Sequence, residues 1–162
     1  RQVMARSTRV RPTASTGDSL KPAERDLVRW LLHAPTEAAG FLADIQEEDL
    51  VDLPTAPIVR AMKEVVAKEK LTAGRVLDRL STEADRSLLT RIALEPSPLG
   101  PRQSPRDCLN RLREQRWRRE LSRLRARQRV RLAEGGDDEN ITAEIQALSR
   151  RIETLGRTET SA

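Results

Sequence analysis

The sequence predicts an all-α protein, a small multi-helix bundle followed by a long antiparallel helical hairpin. Three observations carry this. Residues 106–134 run for 29 residues without Pro or Gly, ending at Gly135-Gly136. As a helix at about 1.5 Å per residue, that stretch is a rod of about 40 Å. Ile141, Ile145, Leu148, Ile152 and Leu155 then recur at alternating steps of four and three, a seam that needs one partner helix beside it. Finally, only Phe41, Trp30 and Trp117 are aromatic, and the 37% hydrophobic content rests on Leu, Val, Ile and Ala, so strand signals are scarce.

Gly135-Gly136 stops the rod, because glycine enters the left-handed conformation without a Cβ penalty. Asp137, Asp138 and Glu139 offer capping oxygens and negative charge to the start of the next helix. So short a connection turns that helix back along the rod. The rod contributes Trp117, Leu121, Leu124, Gln128 and Leu132 to the seam, facing Ile145, Leu148 and Ile152 among others. Cys108, Leu109 and Leu112 point a quarter turn or more away from that stripe. The first turns of the rod are therefore expected to pack on something upstream, and the later turns on the return helix.

Taken in order, residues 1–19 read as a basic flexible linker, and residues 20–95 as the bundle. Pro22 suits a first helical turn, Leu20, Leu27, Val28, Leu31 and Leu32 share one face, and His33-Ala34-Pro35 ends that helix. Thr36 is expected to cap a second helix carrying Phe41, Leu42 and Ile45. Residues 49–54 form a short connection. Glu47, Glu48, Asp49 and Asp52 lack the glycine and ligand spacing of a calcium loop and read as a solvated acidic surface. Thr55 and Pro57 start a helix through Ile58, Val59, Met62, Val65 and Val66. Thr72 and Thr82 cap two more, with Val76, Leu77 and Leu80 on one and Leu88, Leu89, Ile92 and Leu94 on the other.

Pro96, Pro98, Pro101 and Pro105 with Gly100 make residues 96–105 a semi-stiff joint. The hairpin is placed at 106–157 and a tail at 158–162. With few apolar residues to hold it, the hairpin is expected to vary in direction about the joint and to melt independently of the bundle.

The net charge of +5 is unevenly spread. Residues 18–96 carry a net −4, whereas residues 102–136 hold 12 Arg against four acids, a net +8. Acids one turn away can pair with some of these arginines, Glu114 with Arg118 and Glu120 with Arg116. An active site is not visible. Glycine-rich phosphate loops and metal-ligand clusters are missing, and no cofactor or small-molecule substrate is implied. The single histidine, His33, sits at a helix end, and Cys108 reads as a buried structural thiol. The fragment is expected to be a binding module, not an enzyme. With no apolar run near the roughly 18 residues that span a membrane, and no signal-peptide core, it is expected to be soluble and cytoplasmic.

The order and lengths of these pieces resemble the C-terminal helicase-binding domain of bacterial DNA primase, over about residues 20–157. The residues behind this are the helix Ala23-Glu24-Arg25-Asp26-Leu27-Val28-Arg29-Trp30-Leu31-Leu32, the Phe41-Leu42 segment and the helix from Ile58 to Val66. Leu71-Thr72-Ala73-Gly74-Arg75-Val76-Leu77 and the terminal hairpin complete it. The resemblance implies a region that follows a zinc-binding domain and an RNA-polymerising core in a longer primase, a nucleotidyltransferase. A start at Arg1 without Met agrees with a fragment of such a chain. The implied partner is the hexameric replicative helicase of the primosome, attached through the hairpin, for primer synthesis during DNA replication. With the seam turned inward, the candidate contact residues are Glu144, Arg150, Arg151 and Leu155, joined by Arg123 and Arg127 of the rod. The alternative is a nucleic-acid contact through the Arg-rich helix. It lacks stacking aromatics and a recognition motif, and a solvated helix face is the simpler reading of that charge.

Overall fold

Proline and threonine decide where the helices begin. The structure, a computed structural model, describes residues 20–96, 104–136 and 139–160. The expected linker over 1–19, most of the proline-rich joint and the Asp137-Asp138 cap lie outside these residues. Seven α-helices follow in order: α1 Pro22–His33, α2 Pro35–Asp44, α3 Ala56–Val66, α4 Ala73–Arg79, α5 Glu83–Leu94, α6 Pro105–Ala133 and α7 Glu139–Thr160. A 3-10 turn, Glu47–Leu50, joins α2 to α3, and no strand occurs among the described residues.

Pro22 takes the first position of α1, where an N–H would have no partner anyway. Pro35 does the same for α2, so Ala34 is its N-cap and the expected cap at Thr36 is displaced. The fixed φ of Pro35 starts the helix before Thr36 can flank it. The hydroxyls of Thr72 and Thr82 do cap α4 and α5, accepting the N–H of Arg75 (3.4 Å) and of Asp85 (3.1 Å). Ser104 and Asp107 form a reciprocal capping box at the start of α6, which the run of neighbouring prolines masks in the sequence. At its other end, Gly135 has φ +78. Gly136 N–H returns to the Arg131 carbonyl (3.0 Å) and Gly135 N–H to that of Leu132 (3.1 Å). This is the glycine stop anticipated for the rod.

The core is one cluster. Val28 and Leu31 of α1, Leu42 of α2, Ile58, Met62 and Val65 of α3, Val76 of α4 and Leu89 and Ile92 of α5 are all fully buried. Cys108, Leu109 and Leu112 of α6 belong to the same cluster. The first turns of the rod thus pack upstream, as their azimuth requires. These three side chains fasten the first turns of the rod to the bundle. Two buried polar links brace the cluster. Glu24 accepts from both the N–H (2.8 Å) and the hydroxyl (2.6 Å) of Thr55, tying α1 to the start of α3. Arg29 donates to Glu95 (2.8 Å) and to the Pro96 carbonyl (3.1 Å), tying the end of α5 to α1.

Asp49 is the third link, and it alone departs from the reading of its cluster as solvated acidic surface, which holds for exposed Glu47, Glu48 and Asp52. It is only 6% exposed. Arg113 of α6 meets it with Nε at 2.9 Å and Nη2 at 2.6 Å, and Nη2 also donates to the Asp44 carbonyl at the end of α2. The Arg116 guanidinium lies 3.8 Å from the same carboxylate and 3.7 Å from Glu48, in place of the expected pairing with Glu120. Burial pushes the Asp49 carboxyl up, but the Arg113 hydrogen bond, the Gln46 N–H and the charges of Arg113 and Arg116 outweigh it, leaving its pKa below the ordinary value. Arg113 is raised in turn, chiefly by its hydrogen bond to Asp49. A bidentate pair at a carboxylate this buried fixes geometry far better than an exposed pair such as Arg60–Glu47.

Removing one buried packing residue should separate the shared core from the outer seam. Leu112 is 4% exposed, and Leu112→Ala should cost about 2–4 kcal/mol in a urea titration. Leu148 is half-buried, and Leu148→Ala should cost about half as much. A larger loss at Leu148 would contradict the shared core.

Asp49→Ala, which strands two partly buried guanidiniums, should cost about 2–3 kcal/mol. Because the folded pKa is depressed, the stabilisation is complete above the unfolded value of about 4 and fades as pH falls through the lower folded value. Stability curves of the wild type and Asp49→Asn should therefore converge in acid, as pH falls through the depressed folded value. Curves that stay parallel throughout would show that ionised Asp49 contributes nothing.

Candidate interaction surface

Beyond Leu112 the rod changes partner. Leu121 and Leu124 are buried, Trp117 is half-buried, and Ile141 of α7 is buried with Ile145, Leu148, Ile152 and Leu155 half-buried. Gln128 Nε2 donates to the Thr142 hydroxyl at 3.0 Å, while Leu121 and Ile152 line one hollow. Falling positions on α6 thus meet rising positions on α7. Leu132, expected in the seam, is 56% exposed. Each step of four residues turns a side chain about 40° round the helix, so two steps from Leu124 carry Leu132 off the shared face.

Five of the six candidate contact residues, Glu144, Arg150, Arg151, Arg123 and Arg127, are exposed, and Leu155 is half-buried. Arg123 and Arg151 come together at one hollow, across Trp117 and Leu148, with Glu48, Val51, Asp52 and Glu120 around them. Arg127 lies further along α6, sharing a second hollow with Arg123, Ala126, Val130 and Arg131. Val130 is 59% exposed there. Sequence reasoning passed over this hollow and Val51, which is 51% exposed on the turn after the 3-10 segment. Runs of alternating apolar and arginine residues such as Arg129-Val130-Arg131-Leu132 were the available signal.

The electrostatics divide along the rod. Near the bundle three of its arginines are paired across elements, Arg106 with Asp44 (3.0 Å) as well as Arg113 and Arg116 with Asp49. Further out the pairs are local, Arg118 with Glu114 (2.6 Å), as expected, and Arg123 with Glu120 (3.8 Å). Arg119, Arg125, Arg127, Arg129 and Arg131 have no acidic partner among the described residues. The Lys21 pKa is lowered by burial and by the Arg119 charge, which marks where the positive field of the rod reaches the start of α1.

These side chains can recognise charge and offer apolar contact. Cys108 is buried, and burial raises its pKa, so it holds little of the reactive thiolate at neutral pH. His33 is exposed at the end of α1. Among the described residues, no three His, Cys, Asp or Glu side chains gather as metal ligands, and no helix is long and apolar enough to cross a membrane.

No curated protein and no solved structure matches the chain. A family model does match, over residues 24–144, from the first turn of α1 into the first turns of α7. On a match that covers most of its length, the chain belongs to the family described as DNA primase DnaG DnaB-binding.

Proposed function

We propose that this chain attaches a primase to the hexameric replicative helicase and so brings RNA primer synthesis to the replication fork. In this reading it is a non-catalytic part of a longer primase, and nucleotidyl transfer belongs to the rest of that protein. It works where the helicase works, in the cytoplasm. Membership of the DnaB-binding family supports the partner.

The observation that carries the placement of the contact is the difference between the two halves of the rod. Its bundle half is occupied by intramolecular packing and by the Asp49 pairs. Its far half, with α7, leaves charged side chains exposed and without an ion-pair partner among the described residues, Arg127 and Arg131 on α6 and Glu144, Arg150 and Arg151 on α7. Half-buried Leu155 supplies an apolar edge beside them. Charges at a rim speed association, whereas packed apolar groups set the lifetime of the complex.

Isothermal titration against the replicative helicase of the same organism tests this. The combined reversal Glu144→Arg, Arg150→Glu and Arg151→Glu should weaken binding by at least about tenfold, or about 1.4 kcal/mol. Deleting residues 141–162 should abolish binding while circular dichroism still reports a folded α1–α5. Full affinity in both variants would move the contact to the bundle.

A further inference from the structure

The two flanks of the α6–α7 seam differ in charge. The hollow on one flank has three carboxylates, Glu48, Asp52 and Glu120, among its arginines. The groove on the other flank is lined by Arg118, Leu121, Ser122, Arg125, Arg129 and Ile152, with no carboxylate. Arg118 pairs with Glu114 outside that lining (2.6 Å), and Arg125 and Arg129 are exposed without an acidic partner among the described residues. At 100° per residue the three arginines fall on one stripe of α6, about 40° wide and about 16 Å long. Ser122, about 20° beyond the edge of that stripe, adds a hydroxyl to the groove lining.

We infer that this groove binds the phosphodiester backbone of a single nucleic-acid strand. Guanidinium forks match phosphate oxygens, and a row of them with no acid between favours a polyanion. The floor is two aliphatic side chains, Leu121 and Ile152, with no aromatic ring on which bases could stack. The contact is therefore made to the backbone and is independent of base sequence. Packed helices lie about 8–10 Å apart, so the groove between them takes one extended strand, whereas a duplex rests on the ridge and reaches fewer of the guanidiniums. An acidic protein surface is the competing occupant. It is disfavoured here because the exposed apolar side chains that would anchor a protein, Val130 and Leu132, are outside the groove lining. The inference stands apart from the helicase reading.

The test is fluorescence anisotropy of the whole chain with a short, labelled, mixed-sequence DNA strand at about 50 and about 200 mM salt, where each phosphate contact adds about 0.7 to the salt slope. Arg125→Gln with Arg129→Gln should lower the slope by about 1.4 and weaken binding several-fold at the lower salt. Arg119→Gln with Arg131→Gln removes equal charge from α6 outside the groove and should leave the slope unchanged. Both pairs replace exposed side chains that have no acidic partner among the described residues, and thermal melts of the variants verify folding. Equal losses from the two double variants would reduce the effect to a diffuse positive field and overturn the groove. Tighter binding of a duplex of equal length would overturn the single strand. Displacement of the strand by polyglutamate at equal charge concentration would assign the groove to an acidic protein instead.

Discussion

The direction of the long helix depends on one docking event at its base. Cys108, Leu109 and Leu112 enter the core of α1–α5, and a few residues later Arg113 and Arg116 close on Asp49. Each apolar side chain contributes about 1.5–3 kcal/mol by leaving water, but burial alone is non-directional. The bidentate Arg113–Asp49 pair supplies the direction, because only one rotation of α6 brings Nε and Nη2 to both carboxylate oxygens. By contrast Arg106–Asp44, more than half exposed on both sides, adds little. The arm is therefore aimed by a small number of buried groups at its first turns, and the rest of it is free to carry surface.

That division explains how a single helix serves two partners. Near its start α6 is a member of the bundle; beyond Trp117 it becomes one half of a pair with α7. Its apolar residues change face accordingly, and the density of arginine is compatible with this because the guanidiniums occupy the azimuths that neither partner covers. The partly buried guanidiniums of Arg113 and Arg116 aim the helix and the exposed ones make the surface. Family membership identifies the kind of partner that the chain binds.

Much of this was legible locally. The helix starts at Pro22, Thr72 and Thr82, the glycine stop at Gly135 and the divergent azimuth of Cys108, Leu109 and Leu112 all depend on contacts within a few residues. What escaped the sequence was non-local or hidden by a louder neighbour. Asp49 and Arg113 are 64 positions apart, so Asp49 reads as one acid among Glu47, Glu48 and Asp52 until the fold brings α6 over it. Glu24 and Thr55 are 31 apart, and their bond replaces the local cap that Thr55 could have made. Ser104-Pro105-Arg106-Asp107 carries a capping box, yet its prolines draw the eye to a joint. Arg116 could reach Glu120 one turn away, but Asp49 and Glu48 claim it. The candidate contact residues followed from helical periodicity alone, which places side chains on a face without saying which neighbour covers it.

A rigidly aimed arm is the central claim, and the distance between bundle and arm measures it most directly. Spin labels at Glu64 on α3 and Gln146 on α7, both exposed, can be introduced through cysteine substitutions, with buried Cys108 left in place at the docking contact. Pulsed electron–electron resonance should then give one narrow distance distribution at neutral pH. A broad or multimodal distribution would mean that the arm swings, and would contradict docking at its base as the feature that aims it.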